Sequence, residues 1–167
     1  MRISKVVFFI ILILMVSSAG VFAQASQLTD SGSIILTGSV AKRVFITITG
    51  VGNYDSLDLM TDVTDLEIAT VNEKSNVKAG YTVKLSSLNS SKFATADSSD
   101  VLDYNLSYDG AAVTFAGTEA VITDASDRTG STASGVNKSL AISYAGTAVN
   151  IYDGTYSDTL TFTIEAK

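Results

Sequence analysis

Apolar and polar residues alternate with a period of two along most of this chain. Leu160, Phe162 and Ile164 alternate with Thr159, Thr161 and Thr163, and Tyr81, Val83 and Leu85 alternate with Thr82, Lys84 and Ser86. The sets Tyr104, Leu106, Tyr108 and Leu140, Ile142, Tyr144 repeat the pattern. Such a period places one side of a strand in a core and the other in solvent. Nearer the N-terminus, Ile34, Leu36, Gly38 and Val40 form one alternating set and Val44, Ile46 and Ile48 the next, separated by Lys42 and Arg43. Shorter strands are expected at 57–59, 66–71, 113–115 and 119–122, giving about nine or ten in all, and no long stripe of helical period interrupts them.

Turn-forming residues punctuate these segments at 50–53, 72–76, 98–100, 124–135, and at the Asp-Gly pairs Asp109-Gly110 and Asp153-Gly154. Asp-Gly suits a tight hairpin because both residues tolerate positive φ. The small polar stretch 124–135 reads as a long mobile loop. Many short strands, each with one apolar face, need a second sheet to cover them. The fold class expected is therefore all-β, a mostly antiparallel sandwich or barrel. The chain has no proline, so edge strands must be guarded by lysines such as Lys84, or be meant to pair with another chain.

The first 23 residues follow a different logic. Arg2 and Lys5 precede the apolar run 6–16, and Val21-Phe22-Ala23 offers a peptidase site, the n-h-c pattern of an export signal. The run is short for a bilayer span, so no membrane span is expected to be retained, and cleavage would leave residues 24–167. Removing Arg2 and Lys5 takes the formal net charge from −6 to −8. A nucleic-acid surface needs a Lys/Arg cluster to neutralise phosphates, and no such cluster is evident along the chain, so nucleic acid is not an expected partner.

There is no histidine and no cysteine. Disulfides, thiolate or imidazole zinc sites, and Ser-His or Cys-His catalysis are closed by composition alone. Lys74-Ser75 and Lys138-Ser139 are sequence neighbours with no sign of a Ser-Lys catalytic pair. The carboxylate pairs Asp62/Asp65, Asp97/Asp100 and Asp124/Asp127 lie in turn-like stretches, where aspartate bonds nearby backbone N–H groups. Asp97, Asp100 and Asp103 offer hard oxygens to calcium, but without the dense spacing of a calcium loop. Gly50-Val51-Gly52 opens no helix, which argues against a phosphate cradle. Tyr152 and Tyr156 flank the second Asp-Gly pair, and an exposed pair there would offer a stacking surface to a glycan. No catalytic residue and no cofactor are expected.

The set Ile34, Leu36, Gly38 and Val40 follows a short polar leader. It reads either as the first strand of its own domain or as an extended segment able to join the edge of a neighbouring subunit's sheet. In the second case Ile34, Leu36 and Val40 are the inserted side chains, with Gly38 permitting close backbone approach.

Layout and two motifs carry a family resemblance. The order of export signal, polar leader, alternating segment and cysteine-poor sandwich is similar to that of spore-coat-protein-U-like domains and archaic chaperone–usher pilins. The run Gly154-Thr155-Tyr156-Ser157-Asp158-Thr159-Leu160-Thr161-Phe162-Thr163-Ile164 resembles that family's closing strand, and Gly80-Tyr81-Thr82-Val83 its mid-domain strand opener. The family's usual N-terminal disulfide is absent. The resemblance implies an immunoglobulin-like, pilin-type sandwich that lacks its last strand. It implies a signal peptide at 1–23, a leader and donor strand at 24–41, and a sandwich domain at 42–167. It further implies that Ile34, Leu36, Gly38 and Val40 are donated to a groove edged by Leu160, Phe162 and Ile164. A periplasmic chaperone and an outer-membrane usher would act as partners in building a homo-oligomeric fibre on the bacterial surface. The rival readings are a monomeric secreted or periplasmic binding or adhesion module, a coat or matrix protein forming short oligomers, and a polysaccharide-directed enzyme.

Overall fold

The computed structural model describes residues 29–97, 99–130, 134–146 and 151–167. The expected export signal at 1–23 lies outside the described residues, as do part of the leader and residues 131–133 of the 124–135 loop. Among the described residues, no helix is long and apolar enough to cross a membrane. The chain divides into two units, residues 1–39 and 40–167. In the first, residues 29–39 carry no regular secondary structure, so the strand expected over 33–40 is not formed in this chain.

The second unit is all-β. Its strands are β1 (Val44–Gly50), β2 (Val63–Ser75), β3 (Tyr81–Ser87), β4 (Lys92–Ala94), β5 (Val101–Asp103), β6 (Asn105–Tyr108), β7 (Ala111–Ala112), β8 (Glu119–Ala125), β9 (Val136–Tyr144) and β10 (Leu160–Ala166). One sheet has the order β1-β2-β9-β6-β7, the second β10-β3-β8, and β4 pairs with β5. Every pairing is antiparallel. This multi-sheet antiparallel architecture is the all-β class that the alternation predicts, and it is consistent with the immunoglobulin-like sandwich that the family resemblance implies.

The period-two sets at 44–48, 81–86, 104–108, 119–122, 140–144 and 160–164 all fall on strands, with boundaries shifted by a few residues. The short apolar runs 57–59 and 113–115 do not form strands: Leu57, Leu59, Val113 and Phe115 pack against the core from loops. The turn expected at 72–76 also moves. Residues 72–75 extend β2, and the reversal comes at 76–80, where Gly80 takes φ 94° and its N–H donates to the Val77 carbonyl (3.0 Å). A side chain at Gly80 would meet the Ala125 carbonyl oxygen. Asp109 and Gly110 make the expected hairpin between β6 and β7, with φ of 51° and 79°. Asp153-Gly154 makes none and lies in the long β9–β10 connection. Lys84 guards no edge, because β3 is central in its sheet and Lys84 faces Glu165 (3.5 Å) and Glu119 (3.8 Å) across it.

Val71, Leu106, Tyr108, Leu140 and Ile142 from the first sheet pack against Leu85 from the second. Phe93 of β4 fills one end, with its ring 4.8 Å from Tyr104 and 5.8 Å from Tyr144. β2 bends over this core through two register shifts, between Val63 and Leu66 and between Glu67 and Ala69, so that consecutive Ile68 and Ala69 are both buried. Extra residues of this kind bend a strand and sharpen its twist.

One buried charge sits between the sheets. Alternation along β2 carries the inward set Ala69, Val71 onward to Glu73, which is fully buried. Its carboxylate accepts hydrogen bonds from the hydroxyls of Tyr108 (2.6 Å), Thr123 (2.7 Å) and Tyr81 (2.9 Å). Lys138 Nζ lies 3.4 Å from the same carboxylate, donates to Thr123 Oγ1 (2.8 Å), and stands 5.4 Å from the Tyr108 ring centroid. Glu73, Tyr108 and Lys138 belong to the first sheet, and Tyr81 and Thr123 to the second. The cluster thus links both layers in a chain that has no disulfide. Beside it, Thr129 is buried and exchanges hydrogen bonds with Ser75, which anchors part of the expected mobile loop.

A buried carboxylate that loses its partners, or partners that lose their carboxylate, are strongly destabilising. Glu73→Ala is expected to lower unfolding free energy by about 3–5 kcal/mol in urea titrations. Lys84→Ala, which breaks half-exposed surface pairs, should cost no more than about 1 kcal/mol. Alkaline pH tests the same cluster. Burial, reinforced by the Glu73 carboxylate, raises the hydroxyls of Tyr81 and Tyr108 well above their ordinary 10.0. Burial and the Asp158 carboxylate do the same for Tyr104. Unfolded tyrosines release protons near pH 10 while the folded ones keep them, so this stabilisation is complete below pH 10 and is lost as pH rises beyond it. Chemical denaturation midpoints should be level through neutral pH and fall above about pH 10, with a shallower fall in Tyr81→Phe.

Candidate functional site: an open groove between two sheet edges

The two sheets each leave one long strand at the same side of the sandwich. β1 pairs only with β2, and β10 pairs only with β3. The two strands run in opposite directions, since Lys42, just before β1, donates to the carbonyl of Lys167, just after β10 (2.7 Å). No described strand pairs with the outer edge of either. Between them opens a groove of about 650 Å³. Its walls are Ile48 and Gly50 of β1 and Leu160 and Phe162 of β10, and its floor is Ile68, Ala69, Leu140 and Ile142. Phe93, Tyr104, Tyr54 and Leu57 close one end.

The floor is apolar because β2 and β9 present their inward faces to it, and the walls because β1 and β10 alternate. Ile48 remains 46% exposed although it belongs to the inward set of β1, and Leu160 and Phe162 are half-buried. In a closed sandwich such positions would be covered on all sides. Phe162 reaches across to Tyr108, with ring centroids 6.5 Å apart.

Asp158 holds the start of β10 in place. Its carboxylate accepts from Ser87 Oγ (2.6 Å), the Asn89 N–H (2.9 Å), the Thr159 N–H (2.6 Å) and the Tyr104 hydroxyl. In the run from Gly154 to Ile164, then, the aspartate ties the start of β10 to the end of β3 and to Tyr104 at the closed end of the groove, while Leu160 and Phe162 face the groove. Tyr156 packs half-buried against the core and its hydroxyl donates to the Tyr152 carbonyl (2.9 Å).

The sequence-predicted residues are distributed as follows. Leu160 and Phe162 line the groove, and Ile164 is half-buried further along β10, outside the lining. Ile34, Leu36 and Val40 are 83%, 87% and 89% exposed, and no atom stands within 4 Å of a side chain placed at Gly38. Tyr152 is exposed but Tyr156 is not its free companion. Among the described residues, no group of three or more acidic side chains could hold a metal ion, Asp97, Asp100 and Asp103 included. Asp103 instead pairs with Lys92, and Asp100 accepts from the Tyr152 N–H (3.0 Å). No arrangement resembling a catalytic set occurs among the described residues. Sequence reasoning missed Ile48, Ile68 and the floor of β9 as groove residues, because a shared groove is a property of strand order. It also missed Glu73, although the inward alternation of β2 points directly at it.

No known protein family matches the chain, and no curated protein is similar to it at a significant level. Among solved structures, it has a distant likeness to HdaB, the minor tip subunit of the E. coli Hda pilus. The two share 14% sequence identity over 72% of this chain and 79% of that one, with a TM-score of 0.38.

An apolar groove open to water takes up hydrophobic fluorescent dyes. The protein is expected to bind such a dye at neutral pH while fully folded. Leu160→Lys should cut the fluorescence several-fold with an unchanged far-ultraviolet circular dichroism spectrum. Val121→Lys, at an exposed position on the opposite sheet edge β8, should leave it unaltered.

Proposed function

We propose that this chain is a non-catalytic structural subunit that assembles by strand addition, the segment 33–40 of one copy filling the groove between β1 and β10 of the next. The observation that carries this reading is the pairing of two incomplete features in one sequence. The groove has an apolar floor and two free strand edges of seven residues each. The segment has apolar residues at every second position, lies exposed, and makes no strand of its own.

The energetics favour the union. Burying Ile34, Leu36 and Val40 would contribute roughly 1.5–3 kcal/mol each, and each backbone hydrogen bond gained along the free edges about 0.5–1.5 kcal/mol. Ile48, Leu160 and Phe162 would lose their remaining contact with water in the same step. Because the donated segment and the groove are different surfaces of the same chain, the contact is heterologous and repeats without closing, which yields a filament. The family resemblance extends this reading to an exported bacterial surface fibre or coat. A periplasmic chaperone would cover the groove before the next subunit does, and an outer-membrane usher would pass the fibre outward.

Exported protein run unboiled on a denaturing gel is expected to give a ladder of multimers that collapses on boiling and is missing from a variant lacking residues 24–41. Adding a synthetic peptide of residues 33–41 to that variant should raise its melting temperature by several degrees. The same peptide with Ile34, Leu36 and Val40 replaced by aspartate should have no effect. A full-length chain that stays monomeric, and whose stability collapses when residues 24–41 are removed, would overturn the reading in favour of a self-contained secreted binding or adhesion module.

A further inference from the structure

Most cations of the sandwich gather at one end of the strand axis, and most of its anions at the other. At one end lie the start of β1, the end of β2 and the end of β10. Lys42 and Lys167 meet there, the Arg43 N–H donates to Asn76 Oδ1 while the Asn76 N–H donates to the Arg43 carbonyl, and Thr129 binds Ser75. Lys42, Arg43, Lys74, Lys78, Arg128 and Lys167 all belong to this end. The acids on this side are Glu73, paired to Lys138, Asp124, paired to Lys167, Glu165, paired to Lys84, and Asp109 and Asp127. At the opposite end, the β1–β2 connection contributes Asp55, Asp58 and Asp62, and the β9–β10 connection Asp153 and Asp158. Among the described residues, Lys92 is the basic residue there, and it is taken up by Asp103.

The acidic end is also concave. A cavity of about 740 Å³ lies between the two connections and adjoins the groove. Asp55, Asp58 and Asp153 line it together with Tyr54 and Tyr152, which are 54% and 73% exposed. Among the described residues, no Lys or Arg contributes to its lining. Carboxylates and exposed aromatic faces together suit a cationic side chain, which gains ion pairing and cation–π attraction in one place.

We infer that this acidic aromatic pocket is the docking site for Lys42 and Arg43 of a second copy of this chain, bringing the basic end of one copy against the acidic end of another. The inference rests on the strand-addition reading for its geometry. Lys42 and Arg43 follow Val40 after the single residue Ala41, so a segment 33–40 seated in a neighbour's groove delivers them to one mouth of that groove. Asp30 precedes the segment, so its flanks carry opposite charges. The groove mouths also carry opposite charges: Lys167 and Lys42 at one, and Asp55, Asp58 and Asp153 at the other. Matching of sign sends Lys42 and Arg43 to the acidic mouth. The contact acts on encounter more than on final affinity, because steering between complementary faces raises association rates and is weakened by salt.

The test is the rate at which multimers appear, followed by unboiled denaturing gels on the purified full chain. The double variants Lys42→Glu/Arg43→Glu and Asp55→Lys/Asp153→Lys should each assemble about tenfold more slowly than the wild type, with melting temperatures unchanged within a few degrees. Mixed in equal amounts, they present matched charges at every junction between unlike variants and should recover about half of the wild-type rate. Raising ionic strength about tenfold, to around 0.5 M, should slow the wild type and speed each variant alone. Wild-type rates in both variants, or no recovery on mixing, would overturn the charge docking while leaving the ladder, and hence strand addition, intact. No ladder from the wild type at all would overturn both.

Discussion

A β-sandwich is stable only where its apolar interior is covered on every side, and here that condition fails along one seam. β1 and β10 end the two sheets on the same side, and the inward faces of β2 and β9 lie open between them. The other features of functional interest depend on this seam. Its walls alternate because β1 and β10 do. Its mouth is shaped by the two long connections, and the start of β10 is fixed by the four hydrogen bonds to Asp158. Exposed backbone edges beside an apolar trough are a standing invitation to another strand, which proteins usually suppress with charge, proline or bulges. This chain has no proline, and its register shifts lie in the β2–β9 and β3–β8 pairings, not on β1 or β10.

An open seam places a heavier burden on the rest of the core. Two sheets with an uncovered seam between them have less buried apolar area to hold them together, and without cysteine no disulfide can tie them. The Glu73 cluster meets this with polar bonds that cross the interface, joining β2, β6 and β9 to β3 and β8. Among the described residues, no buried side-chain polar atom is left without a partner. A network satisfied throughout can hold the sheets in one register, whereas an apolar core of the same volume tolerates slippage. That the cluster lies toward the basic end, away from the closed-off end where Phe93 and Tyr104 meet, divides the core into a polar anchor and an aromatic plug.

The charge arrangement and the groove express the same axis. Strand ends alternate between the two poles, and the turns at one pole are rich in lysine and arginine while the connections at the other are rich in aspartate. A sandwich so polarised repels side-by-side contacts of like ends and favours contacts between unlike ones. A groove that runs between the same two poles lets one displacement serve both the apolar and the ionic match, which is why the proposed strand addition and the proposed charge docking point to the same repeating contact.

Sequence by itself determined the class of this protein. Period-two alternation is a local consequence of strand geometry, so the strands at 81–87, 105–108, 140–144 and 160–166 could be read residue by residue, as could the hairpin at Asp109-Gly110 and the absence of thiol and imidazole chemistry. The apolar face of β10, with Leu160 and Phe162, was legible for the same reason. Tertiary structure decided the rest, because it depends on which strands become neighbours. That 33–40 alternates is local, but that it makes no strand in this chain is not. That Ile48 alternates is local, but that it faces a groove instead of a closed core follows from β1 and β10 being the unpaired edges. Glu73 reads as an ordinary charged residue until Tyr81, Tyr108, Thr123 and Lys138 converge on it from four other strands. The polarity of the charges was equally hidden, since residues as far apart as Lys42 and Lys167, or Asp55 and Asp153, become neighbours only when antiparallel pairing returns the chain to the same end.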